Sequence, residues 1–109
     1  MERRNFPRLE ASLPVLYFTD GYPSPNIAWT LDLSLGGTRI ESSNGLKTDD
    51  RFWMHIAIDR QTIKCRGKAI YVLEPESGSM TAGVKFEELS EHDKLYLRQY
   101  LSYVIEQRV

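Results

Sequence analysis

The sequence predicts a mainly β fold: a six-stranded antiparallel β-barrel with a C-terminal α-helix and a flexible N-terminal leader. Three observations predict it. Apolar and polar residues alternate with period two through most of the 109 residues. Turn-forming clusters punctuate those runs at short, even intervals. After Ser90 the apolar spacing changes to that of a helix. Short strands at such spacing favour closure into a barrel, because closure removes exposed edges.

The leader, residues 1–8, holds Arg3, Arg4 and Arg8 and few apolar anchors, so it is expected to be loosely ordered. Residues 9–109 are expected to form a single domain. Leu13, Val15 and Tyr17 suggest the first strand, although Leu16 and Phe18 blur its pattern. Asp20 to Asn26 is a loop rich in Gly and Pro. Ile27, Trp29, Leu31 and Leu33 then alternate with Ala28, Thr30, Asp32 and Ser34, and the Trp/Leu set reads as the core face. Gly36-Gly37 is a sharp corner, followed by a short strand over Thr38–Glu41. Ser42 to Asp50 is a second loop. Phe52, Met54, Ile56 and Ile58 mark another strand.

Ile63 to Val72 is a long strand whose apolar parity changes, from Ile63 and Cys65 to Ile70 and Val72, and a bulge at Gly67 would reconcile the halves. Glu74 to Gly78 is a turn, and Met80, Ala82, Val84 and Phe86 define the last strand. Ser90 is a plausible N-cap, with Glu91 and Asp93 where the helix dipole favours acids. Leu97, Leu101, Val104 and Ile105 share one helical stripe, beside Tyr96, Tyr100 and Tyr103. The helix, about 90–107, is expected to pack over one end of the barrel; its apolarity leaves a partly exposed, partner-binding helix as the alternative.

Composition bounds the chemistry. The chain is 41% hydrophobic and 27% charged, with a formal net charge of −1, so it offers no global basic field for a nucleic-acid duplex. A barrel for single strands would want a positive groove with stacking aromatics, and near-neutral charge disfavours it. Cys65 is the only cysteine, so no internal disulfide forms, and it reads as a small core residue. There is no signal-peptide core and no apolar run long enough to span a bilayer, so a cytoplasmic setting without membrane insertion is expected; a domain cut from a larger chain would look the same. No Ser/His/Asp set, carboxylate pair or metal cluster stands out, so no enzyme and no cofactor are expected. His55 and His92 read as structural or surface residues. Lys64, Arg66 and Lys68 share a parity and read as a solvated face.

One stretch carries more. Asp32 and Ser34 are two apart, so on a strand their Cα atoms stand roughly 6.6–6.8 Å apart on one face. If Leu31 and Leu33 face the core, an acceptor and a hydroxyl sit side by side on the outer wall. Gly36 and Gly37 remove side chains beside them. A carboxylate can accept the N1–H and N2–H₂ donors of a guanine. Guanidinium groups pair with phosphate and with guanine O6/N7, and stack on a base. The bland alternatives are a solvated leader and a polar pair that caps nearby backbone.

Arg4-x-x-x-Arg8 followed by Asp32-x-Ser34-x-x-Gly37 resembles the two-part signature of PilZ domains, receptors for the bacterial second messenger cyclic di-GMP. Gly83-Val84-Lys85-Phe86 is similar to a stretch of that family as well. The resemblance implies that Arg4 and Arg8 grip phosphates and guanine Hoogsteen edges, that Asp32 and Ser34 hold a guanine, and that Gly37 keeps the surface open. Arg3, directly before the pair, implies two mutually intercalated ligand molecules. Tyr71 is a weaker candidate for stacking on a base. The implied function is a non-enzymatic cyclic di-GMP receptor that changes its leader and surface on binding and passes the signal to an unidentified effector protein. The alternative is a nucleotide-independent interaction adaptor of the same fold.

Overall fold

The structure, a computed structural model, describes residues 8–19, 24–43, 45–74 and 78–108. Its elements are β1 (Leu9–Glu10), β2 (Pro14–Phe18), β3 (Asn26–Leu33), β4 (Gly37–Ser42), β5 (Arg51–Ile58), β6 (Gln61–Leu73), β7 (Met80–Leu89) and α1 (Glu91–Arg108). Antiparallel pairing runs β2–β5–β6–β7–β4–β3 and returns from β3 to β2, which closes a six-stranded barrel. β1 is an extra strand. It pairs Leu9 and Glu10 with Leu33 and Asp32, on the edge of β3 that β2 occupies further along.

Thr30 knits that junction. Its buried hydroxyl accepts the Leu13 amide at 2.9 Å and donates to the Ala11 carbonyl. The Thr30 amide in turn reaches the Leu13 carbonyl at 2.9 Å. The break between β1 and β2 is therefore bridged by one β-branched residue that also suits the strand.

The core is a single cluster in which Val15, Tyr17, Phe52, Met54, Ile56, Ile58 and Ile63 are essentially sealed. Each such side chain contributes roughly 1.5–3 kcal/mol by leaving water. Cys65 is among them, and burial pushes its thiol up to about 12. Ser90 caps α1 by accepting the Asp93 amide at 3.1 Å. Leu97 and Leu101 face the barrel, and the Tyr96 hydroxyl donates to the Ile58 carbonyl at 2.7 Å, so the helix covers the β5–β6 end. Ile105 and Tyr103 are exposed. Among the described residues no helix is long and apolar enough to cross a membrane.

Bulges overturn two sequence expectations about facing. In β3 the register shifts between Thr30 and Asp32, leaving Leu31 as the extra residue. Before the shift, Ala28 and Thr30 point inward and Ile27 and Trp29 are exposed, at 62% and 49%. After it, Leu33 is fully buried and Asp32 shares the outward side with Arg39. The Trp/Leu set is thus two sets on opposite faces.

The predicted bulge near Gly67 falls in the right place but on the other strand. Arg66 pairs with Glu88 and Gly67 with Phe86, so Glu87 of β7 is the extra residue. The parity of β6 instead changes at Ile70, the extra residue between Ala69 and Tyr71, and Ile70 is exposed rather than buried. Gly67 itself stays inward, because a Cβ there would meet Val84 Cγ1 at 2.6 Å.

Candidate functional site

The bulge at Leu31 is what turns Asp32 outward beside its cross-strand neighbour. The registers then lay one row across the outer face: Glu10 on β1, Asp32 on β3, Arg39 on β4, Gly83 on β7 and Tyr71 on β6. Arg39 donates from Nε to Asp32 Oδ2 at 2.7 Å and from its amide to Oδ1 at 3.2 Å. Arg8 donates from Nη1 to the same Oδ2 at 3.3 Å. Asp32 is only 5% exposed, yet what covers it is guanidinium and not the hydrophobic core. Its carboxylate raises the pKa of Arg39 above the ordinary guanidinium range, chiefly through the side-chain hydrogen bond.

Tyr71 belongs to the same group. Its ring lies over Gly83, where any Cβ would meet the ring carbons at 2.2–2.7 Å. Gly83 is thus the open place in the wall that lets an aromatic ring settle against a strand. Two residues along β4 and β7, Gly37, Lys85 and Lys68 form the next outward row. Of the three basic residues read as a solvated face, Lys68 lies in this row, while Arg66 sits over the Trp53 ring at 5.7 Å.

Ser34 departs from its expected placement. β3 ends at Leu33, so Ser34 opens the turn instead of sharing a strand face with Asp32. Its hydroxyl accepts the Gly36 and Gly37 amides, both at 3.2 Å, and lies 3.3 Å from the Gly37 carbonyl, to which it donates. These contacts are those of a residue that caps its own turn. Gly37 has a packing reason as well. A Cβ there would stand 2.2 Å from the Val84 carbonyl oxygen, so only glycine lets β4 approach β7. Gly36 joins the same seam through its carbonyl, which accepts the Phe86 amide at 2.9 Å. Arg3 and Arg4 lie outside the described residues.

Arg39 and Lys85 were missed by the sequence reading. A signal existed for Arg39: the corner at Gly36-Gly37 folds β4 back on β3 and sets Thr38 opposite Leu33 and Arg39 opposite Asp32. Among the described residues no group of His, Cys, Asp and Glu could hold a metal ion.

The PilZ domain family model matches residues 2–103, and the chain belongs to that family. Solved structures share its fold. The PilZ domain with c-di-GMP of YcgR from Escherichia coli matches with a TM-score of 0.77 at 17% identity, covering 98% of this chain and 94% of that one. The Bacillus subtilis inhibitor of motility, MotI/DgrA, matches with a TM-score of 0.81 at 16% identity over the whole of this chain. The MrkH–c-di-GMP complex of K. pneumonia matches with a TM-score of 0.77 at 17% identity over 99% of this chain. This chain spans 55% of the MotI/DgrA and MrkH chains. No curated protein sequence matches it.

Proposed function

We propose that this domain is a cyclic di-GMP receptor that transmits binding to a partner protein and carries out no catalysis itself. The observation that carries the reading is the contact between Arg8 and Asp32. The two halves of the signature, 24 residues apart in sequence, meet at one carboxylate. Around it stand the groups such a ligand needs. Asp32 accepts guanine donors, and Arg8 and Lys85 oppose the two phosphates. Tyr71 offers a ring face beside them. The c-di-GMP complexes of the similar YcgR and MrkH structures point to the same ligand class.

In this reading Arg3 and Arg4 join Arg8 as phosphate and base ligands, Ser34 shapes the Gly36-Gly37 corner under the ligand, and the leader closes over it. Charge-assisted bonds are worth roughly 1.5–3 kcal/mol each, against about 1–2 kcal/mol of backbone entropy per residue ordered. Ordering even a short leader therefore takes several arginine contacts, which is why they cluster. The third arginine supports an intercalated ligand pair, read out as two ligands per protomer.

Titration calorimetry with cyclic di-GMP, GTP and cyclic AMP tests the proposal. Cyclic di-GMP alone binds tightly, and Arg4→Ala and Asp32→Ala each weaken it about ten- to a hundred-fold, from one lost charge-assisted bond. No binding leaves the nucleotide-independent adaptor, and binding indifferent to both substitutions removes this site.

A further inference from the structure

The Asp32 carboxylate has donors already in place, and their geometry is unequal. A carboxylate offers about four acceptor positions. From the described residues, Arg39 fills one on each oxygen, through Nε on Oδ2 and its own amide on Oδ1. Arg8 fills another on Oδ2, which leaves one open. A guanine edge presents two adjacent donors, N1–H and the 2-amino group. The open position is one too few.

The donor that gives way is marked by structure. The Arg39 Nε bond, at 2.7 Å, is far shorter than the Arg8 bond at 3.3 Å. Arg39 is held at its backbone as well, which is in the β3–β4 ladder opposite Asp32. Arg8 lies outside every strand, just ahead of β1. The Arg39 pair fixes the plane of the carboxylate, because an amide and a guanidinium on the same residue grip both oxygens at once. A lysine in its place would hold a charge nearby without the flat donor that sets this plane.

We infer that Arg39 is the positioning residue that holds the Asp32 carboxylate in register for a guanine edge, while Arg8 is the exchangeable donor that leaves Asp32 when the base arrives. The inference rests on the receptor reading above and deepens it: Arg39 sets base selectivity without touching the base, and Arg8 yields its place on Asp32 to the base. Once freed from Asp32, Arg8 is available to a phosphate.

The test compares cyclic di-GMP with cyclic di-inosine monophosphate, which lacks the 2-amino group, by calorimetry on wild type, Arg39→Gln and Arg39→Lys. Wild type prefers cyclic di-GMP about tenfold or more, the size of one hydrogen bond to a charged group. Both variants lose most of that preference, with Lys no better than Gln. A variant that binds both ligands more weakly at an unchanged ratio assigns Arg39 a structural role and overturns the inference. Absence of cyclic di-GMP binding to wild type overturns the receptor reading itself, a distinguishable result. Arginine side-chain NMR on the unsubstituted protein gives the second measurement. The Arg39 Nε–H stays protected from exchange with and without ligand, and the Arg8 resonances shift on binding; an Arg8 signal unmoved at saturation also overturns the inference.

Discussion

The two halves of β3 differ in a way that explains where the site lies. Before the bulge the strand pairs with β2 over Asn26–Trp29, buries small residues and exposes Ile27 and Trp29. Past Leu31 it pairs with β1, buries a full-sized leucine and turns Asp32 outward under two arginines. Both halves alternate, and only the phase differs. A bulge re-aims one side chain and resets everything after it. Without it Asp32 would point at the core, where an ion pair costs more in desolvation than it returns. The first half is thus ordinary barrel wall, and the second is a displaced wall built around a charge.

The contrast breaks most severely at Gly37, across the seam from the second half. Gly37→Ala drives a Cβ to 2.2 Å from a backbone oxygen that cannot rotate away. We expect a loss of about 3 kcal/mol or more, enough to unfold much of a marginally stable domain. Gly45→Ala, with nothing within 4 Å of its Cβ, is the control and leaves the urea midpoint unchanged. Equal midpoints for the two would mean that the seam is loose.

Next in size is Thr30→Val, at the joint between the halves. The change keeps volume and β-propensity but strands the Leu13 amide and the Ala11 carbonyl. A loss of about 1–3 kcal/mol follows from two orphaned partners. Amide exchange should quicken at Leu13 and around β1 more than in the β5–β6 hairpin. Uniform loss across the barrel would count against Thr30 as a local tie.

How far the sequence could be read follows from the same bulges. Closure, the C-terminal helix and the Ser90 cap all rest on local chemistry or turn spacing, and those expectations agree with the structure. The facing of Ile27, Trp29 and Ile70 does not, because alternation carries no mark of where its phase slips. Ser34 and Gly37 are tied to a ligand by the signature resemblance, while their hydrogen bonds and contacts belong to the corner and the β4–β7 seam. Tyr71 joins the site only because β6 bulges at Ile70, immediately before it. Arg39 was legible from the corner at Gly36-Gly37, had the hairpin been folded residue by residue.

On the first half the expected effects are small. Ile27→Thr and Trp29→Thr keep strand propensity and remove exposed apolar surface, so stability should move by no more than about 0.5 kcal/mol. A larger loss by chemical denaturation would show that this face packs against something the isolated fold lacks, and would narrow its difference from the second half.

The smallest effect sits beside that same face. His55 pairs with Leu16, which pairs with Ile27, and its ring stacks at a tilt on Phe18 with centroids 5.1 Å apart. Its pKa lies below the ordinary 6.5, first through burial and then through the nearby Lys64 charge. The folded protein therefore favours the neutral ring, and the unfolded chain takes up a proton at higher pH than the folded one does. Stability from this group is fully present above pH 6.5 and declines as pH falls from there through the lower folded value. Thermal melts from pH 7.5 down to 5 should show a shallow drop in Tm that His55→Gln flattens. The ring is only partly buried and carries a modest shift, so screening keeps the drop small. A wild-type curve that stays flat, or one that rises on acidification, would place a stabilising acid beside His55 and make this half of the wall electrostatically active as well.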